Sequence, residues 1–372
     1  MRARASACVL VLAGAHLAGQ DRGAWVTRLG NDTMALETYQ RTDSGLRGEI
    51  VTRSPVTLHR IYTVRYGAGR SHFELVTHNI GGAPNLPMEL KSAGDAQGPA
   101  EAPYLFLAAG LLEDVVRGAR NRGGDTATVI GLPMTGSGAT TLGLRFVGGD
   151  AVRLWLGGDG PFLGTLDRAG HLTHISGRMT TDKYEWERVP SLDLARLGPT
   201  FASRPIAQLS PRDTLTMSFQ GTSLTVAYGR PSVRGRKIFG AMEPWGKVWR
   251  AGANSATILT ITGPVVAAGT TIPAGSYSLW ILPTPGAWTL IVNRETLAPC
   301  TGPCGTRRSL LSGTAYNPDS DLVRLPMTVD TTAPLTERFT ISGSMRGDPT
   351  GSGATLTFAW EHTVASVDLR KP

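Results

Sequence analysis

Around the two tryptophans Trp245 and Trp249 the chain gathers Arg230, Arg234, Arg236, Lys237 and Arg250, all between Tyr228 and Asn254. A guanidinium presents a planar fork of donors that fits a carboxylate, a sulfate or a pair of sugar hydroxyls, and an indole stacks on a sugar's apolar face or on an arginine. Arg230, Arg234, Arg236, Trp245, Trp249, Arg250 and Asn254 are therefore the candidate ligand-binding residues. The same residues admit a structural reading. Polar groups packed this densely need partners when buried, so Arg230, Arg250 and Asn254 would satisfy loop carbonyls while Trp249 and Phe239 fill a core.

The other constellations carry less chemistry. His72, Glu74 and His78 share one face of a strand under strict alternation, with His59 near from the strand before, and are the only metal candidates of note; a surface reading is favoured and no metal is expected. His171 and His174 fall on opposite faces of one strand. Gly136-Ser137-Gly138 sits in a turn without the strand-to-helix setting of a nucleophile elbow. Glu185 and Glu187 flank Trp186 on one strand, whereas paired glycosidase carboxylates face each other across a cleft, so residues 184–187 read as an exposed β-face. Cys300 and Cys304, in PCTGPCG, flank a Gly-Pro turn and are expected to form a local disulfide in an oxidising compartment. Asn31-Asp32-Thr33 is a glycosylation sequon with Asn31 as acceptor.

These residues need a frame, and the sequence supplies mostly strands. Apolar alternation interrupted by Asp43-Ser44-Gly45, Ser54-Pro55 and Gly67-Ala68-Gly69 predicts an antiparallel meander over 33–79. Residues 81–103 read as loop. Tyr104, Leu105, Leu107, Ala108, Leu111, Leu112, Val115 and Val116 then recur at three- and four-residue spacing, which predicts one amphipathic helix covering the open face or end of a curved sheet. A second β-run over 126–177 turns at Gly148-Gly149-Asp150 and Gly157-Gly158-Asp159-Gly160, glycines explained by positive φ rather than by a phosphate loop. The predicted fold is mainly β: an N-terminal antiparallel sheet or half-barrel with one helix over 24–196, a linker at 197–211, and a C-terminal β-sandwich or jelly-roll-like domain over 212–370.

Residues 1–19 carry two arginines, an apolar run and small residues. That is the pattern of a secretory signal peptide, and its apolar run falls far short of the roughly 20 residues needed to span hydrocarbon. No later run is long enough for a transmembrane anchor. The expectation is a soluble bacterial protein that is extracellular, on the cell surface or in the periplasm. Lysine plus arginine number 37 against 29 aspartate plus glutamate, a net charge of +8. The arginines are scattered through β-segments and no dense basic tract suits a phosphate backbone, so no nucleic-acid partner is expected.

Tyr228-x-Arg-Pro, Arg234-Gly-Arg-Lys-Ile-Phe-Gly240, Pro244-Trp-Gly-Lys-Val-Trp-Arg-x-Gly-Ala-Asn254, Ile272-Pro-Ala-Gly-x-Tyr-Ser-Leu279 and Trp360-Glu361 recur as a set. Through them residues 210–369 resemble a bacterial β-domain family, the domain of unknown function 2911. The resemblance implies a compact β-domain and brings no activity with it. With no complete catalytic constellation, the functional expectation is a secreted, non-catalytic β-protein without a cofactor. It would bind a glycan or other extracellular or envelope component, or assemble as a homo-oligomer or filament at a surface. The alternative is a hydrolase or other enzyme acting on glycans or anionic small molecules. A pocket joining Arg234 or Arg250 to a carboxylate or histidine would favour the enzyme, and exposed strand edges would favour assembly.

Overall fold

The computed structural model describes residues 21–136, 138–157, 159–298, 309–310, 315–346 and 353–372, so the leader-like residues lie outside the described residues. The first part of the chain forms β1 (Asp21–Leu29), β2 (Asp32–Thr42), β3 (Gly45–Thr52), β4 (Leu58–Gly67), β5 (Arg70–His78), β6 (Glu89–Gln97) and β7 (Glu101–Tyr104). After α1 (Ala109–Asn121) come β8 (Thr126–Pro133), β9 (Thr140–Val147), β10 (Ala151–Leu156), β11 (Asp159–Leu166), β12 (Leu172–Ser176) and β13 (Glu185–Val189). They make one 13-stranded sheet in the order β6-β5-β4-β3-β2-β1-β13-β12-β11-β10-β9-β8-β7. Each run is a meander, the pairing of β1 with β13 joins the two runs, and only β7 with β8 is parallel. The edge strands β6 and β7 approach each other, so the sheet curls almost shut.

Helix α1 lies on the concave face. Leu111, Leu112, Val115, Val116 and Ala119 are buried in one core with Tyr39, Tyr62, Phe162 and Trp186. Gly110 permits the close approach: a Cβ there would stand 2.6 Å from the Tyr39 ring and 2.7 Å from the Tyr62 hydroxyl. The residue before the helix, Ala108, has no capping side chain. Glu37 on β2 takes that role from across the sheet, accepting hydrogen bonds from Ala109 N (2.7 Å) and Gly110 N (3.1 Å) and from the Tyr62 hydroxyl. Exposed backbone donors at a helix start favour a carboxylate, yet burial outweighs those three donors and pushes the Glu37 carboxyl up to about 7.

Three expectations change. Residues 81–103 hold β6 and β7 rather than loop alone; β6, ELKSAGDAQ, buries little more than Ala96, so no apolar alternation marks it, and its backbone pairing with β5 makes it a strand. Tyr184 and Trp186 are buried, at 7% and 2% exposure, rather than on an exposed face, because Trp186 packs edge-on against Phe162 in the core. The stretch expected as linker begins inside α2 (Leu194–Ala202), which starts where the Asp193 side chain accepts Arg196 N.

The remainder forms β14 (Arg212–Phe219), β15 (Thr222–Gly229), β16 (Thr257–Ile261), β17 (Val265–Ala267), β18 (Thr270–Ile272), β19 (Gly275–Thr284) and β20 (Ala287–Asn293). After the short pair β21 (Leu297–Ala298) and β22 (Ser309–Leu310) follow β23 (Asp321–Asp330), β24 (Thr336–Met345), β25 (Gly353–Glu361) and β26 (Thr363–Arg370). Apart from β21 and β22 these form an 11-stranded sheet, β14-β15-β16-β19-β20-β23-β26-β17-β18, with β25 and then β24 attached through β26. The chain is thus mainly β, with two large near-barrel sheets and few helices. Among the described residues no helix is long and apolar enough to cross a membrane.

The expected disulfide between Cys300 and Cys304 is corrected: no disulfide bond is found. A Gly-Pro turn argues for a reversal of the chain, but a disulfide also needs the two Cβ vectors aimed at each other, which spacing does not provide. Cys300 and Cys304 themselves lie outside the described residues.

Candidate functional site

The long connection from β15 to β16 carries the arginine-rich segment, and it faces the N-terminal sheet. Arg234 and Gly235 both have positive φ, 51° and 68°. This turn seats the segment on the tip between β1 and β2: Asn31 N donates to Arg234 O at 2.9 Å, and the Arg234 guanidinium pairs with Asp32. A side chain at position 235 would collide with that of Asn31, so the contact requires glycine. A second link comes from the turn before β13, where Lys183 Nζ donates to Met242 O at 2.6 Å and stands 3.6 Å from Glu243.

Between these two links lies a cleft of ≈ 420 Å³, with Asp182, Lys183 and Tyr184 on one side and Arg236, Glu243 and Arg250 on the other. A neighbouring hollow shares Lys183, Glu243 and Arg250 and adds Asp159. Burial and the nearby Asp159 push the Asp182 carboxyl up to about 6, with Arg250 opposing. Burial likewise raises Glu243 against the pull of Lys183 and Arg250, and lowers Lys183 and Arg250 themselves. The arginines differ in what they have left to offer. Arg236 is turned into its own loop, donating to Val233 O (2.9 Å) and Ser232 O (2.6 Å). Arg250 donates only from Nε, to Gly252 O at 3.4 Å, and its terminal nitrogens meet no acceptor among the described residues. The cleft thus brings together a cation with free donors and a carboxyl that changes charge near neutrality.

Behind the cleft, Trp249 stacks on Trp360 with ring centres 5.5 Å apart, and Phe239 and Phe339 close edge-on around them. This aromatic cluster unites the motif residues of the C-terminal region. Residues 210–369 match the family Protein of unknown function (DUF2911). The N-terminal region has no family match. No curated protein and no solved structure matches the chain.

Within the DUF2911 region the candidate residues separate. Arg234, Arg236, Arg250 and Asn254 border the cleft. Trp249 is buried in the aromatic core, and Trp245, 40% exposed, packs over Gly240 away from the cleft. Arg230 is a brace: it donates to Phe339 O (3.1 Å), Asp213 (2.9 Å) and Thr340 Oγ1 (2.8 Å). Outside that region, His72 and His78 are not brought together. His72 meets Asp95 at 3.0 Å and Glu74 at 3.5 Å, whereas His78 meets Glu89, so six residues of strand, roughly 20 Å, separate them. Asn31 is exposed in the β1–β2 turn against Gly235.

Asp182, Lys183 and Glu243 escape sequence reasoning because they are isolated charges in turns, brought together only by the meeting of the two sheets. The other cluster that spacing does not reveal is buried. Glu113, fully enclosed on α1, accepts from Tyr39 Oη (2.6 Å), Arg41 (3.1 Å), Arg188 (2.6 Å) and Leu172 N (3.1 Å). Asp21, Glu113 and His171 lie within metal-ligating distance of one another. Arg41, Arg117 and Arg188 already face these carboxylates, so guanidiniums compensate the charge.

Proposed function

We propose that the protein binds a small anionic molecule, such as a sugar acid of extracellular or envelope origin, in the cleft between its two sheets. The observation that carries this reading is Arg250, a partly enclosed guanidinium whose terminal donors are unengaged among the described residues while Lys183 and Arg236 add positive charge beside it. A forked donor in a low-dielectric recess favours a carboxylate over a neutral hydroxyl. The C-terminal strands, read as a sandwich or jelly-roll-like frame, would hold the arginine loop against the N-terminal sheet. Export follows the leader-like pattern of residues 1–19.

Galacturonate and galactose form a matched test. Galacturonate should raise the melting temperature of the full chain and galactose should not, and Arg250→Gln should remove the difference. Equal protection by both sugars, or full protection of Arg250→Gln by galacturonate, would refute the reading.

Asp182 favours a second reading, proton-transfer chemistry on the same ligand. Its carboxyl stands in the cleft with a pKa of about 6, within the range where a group both gives and takes protons. Turnover of an aryl glycoside of galacturonate that disappears in Asp182→Asn would support an enzyme; unchanged turnover in that variant would exclude this role.

A further inference from the structure

A separate cavity of ≈ 470 Å³ opens on the concave side of the N-terminal sheet, lined by Arg60, Tyr104, Phe106, Leu107, Thr140 and Tyr184 among others. Phe106 and Tyr184 also border the inter-sheet cleft, so the two hollows share a wall. Arg60 reaches this place by strand alternation. On β4 the side chains of Leu58, Arg60, Tyr62 and Val64 point to one face, and Leu58, Tyr62 and Val64 are buried.

Among the described residues Arg60 has no partner. Its Nε is buried with no acceptor, and no described residue forms an ion pair with it. Its cross-strand neighbours are Ile50 and Thr77, neither of them charged. The carboxylate in the same layer, Glu37, lies beyond Ile50, two inter-strand spacings or roughly 10 Å away. Glu37 is engaged by Tyr62, Ala109 and Gly110. Burial alone acts on the Arg60 guanidinium, lowering its pKa with no charge opposing, yet an arginine remains protonated in any protein setting. Among the described residues it is the only charged one lining the cavity. A buried cation is stable when an anion completes it, and otherwise costs more than an apolar residue in its place.

We propose that this cavity binds a small organic monoanion, a carboxylate joined to an apolar or aromatic body, with the charge on Arg60 and the body against Tyr104, Phe106 and Tyr184. A single cation sets the charge of the ligand. The aromatic walls set its body, since an inorganic ion would leave them wetted and uncovered, and the volume lies within the span usual for small-molecule sites. The proposal stands apart from the reading of Arg250.

The test uses 2-naphthoate and its neutral isostere 2-naphthamide, titrated into the full chain by fluorescence. The acid should bind at least about tenfold more tightly than the amide, the difference expected for one charge-assisted pair. Arg60→Leu should abolish the preference while melting no lower than the parent protein, because leucine relieves a partly buried charge that has no partner among the described residues. Arg60→Lys should keep part of the preference, and it maintains the test if the leucine variant does not fold. Equal affinity for the two probes, or a preference that survives Arg60→Leu, would overturn the proposal. Loss of the preference in Arg250→Gln with Arg60 intact would place the probe in the cleft instead and overturn it equally.

Discussion

Arg41 and Arg60 stand on the same concave face of one sheet, two strands apart, and their surroundings could hardly differ more. Arg41 meets Asp21 (2.6 Å), Asp114 (2.9 Å), Glu113 (3.1 Å) and Gly110 O (3.2 Å), while Arg60 meets no acceptor among the described residues. Strand alternation delivers both arginines inward and says nothing about what receives them. The difference comes from α1. It lies across the Arg41 end of the concave face and brings Glu113 and Asp114 down onto it, while the chain around Tyr104 and Phe106 leaves the Arg60 end hollow. One end holds the sheet and helix together; the other leaves a charge with no acceptor among the described residues beside a cavity.

The largest effect should come from breaking the paired end. Glu113→Ala removes the acceptor shared by Tyr39, Arg41 and Arg188 and leaves guanidiniums buried without it. Truncating one partner of a buried ion pair typically costs about 3–5 kcal/mol, which urea unfolding should register as a large fall in midpoint. A loss below about 1 kcal/mol would mean that Asp21 and Asp114 take over Arg41, and the contrast with Arg60→Leu would then lose its basis.

The same contrast divides Arg230 from Arg250, which share one loop. Arg230 has three acceptors, so Arg230→Ala should lower stability by about 1–2 kcal/mol in thermal unfolding and leave the protection by galacturonate in place. Arg250→Gln should do the reverse. If both variants lose stability and both keep protection, the loop is a brace throughout and the cleft is not its ligand site.

How far the sequence reveals this arrangement depends on the kind of signal. Strands such as β3, β15, β20 and β26 are legible because their apolar residues alternate or run continuously between turn residues. Strand β6 is not legible, because its place comes from backbone pairing at a sheet edge rather than from burial. In the arginine loop, residue type points to Arg234, Arg236 and Arg250 but not to which of them has free donors. That depends on Asp32, Ser232 and Val233, which are partners of tertiary contact and loop closure. Asp182 had no local signal at all. Its environment is made by Asp159 and Arg250, one from each sheet's connections, and by burial that exists only when the two sheets meet.

The smallest expected effect is the pH response of the cleft. The Asp182 carboxyl is raised from an ordinary 3.8 to about 6, by burial first and by Asp159 second, with Arg250 opposing; the Tyr104 and Tyr184 hydroxyls face it as neutral groups, each itself pushed up to about 12. A raised carboxyl favours the folded state in its protonated form. Its contribution to stability is therefore fully present below the ordinary carboxylate pKa and is lost as pH rises from 3.8 to about 6, with no further change above. Anion binding follows the same sign, since ionising Asp182 adds a negative charge beside Arg250. Galacturonate stays ionised at both pH 5 and pH 7.5, so its affinity should fall by roughly fivefold between them. Asp182→Asn should hold the tighter affinity at both values. If the fall persists in the asparagine variant, the titrating group is Glu243 or one outside the cleft, and Asp182 loses its place in the second, enzymatic reading as well.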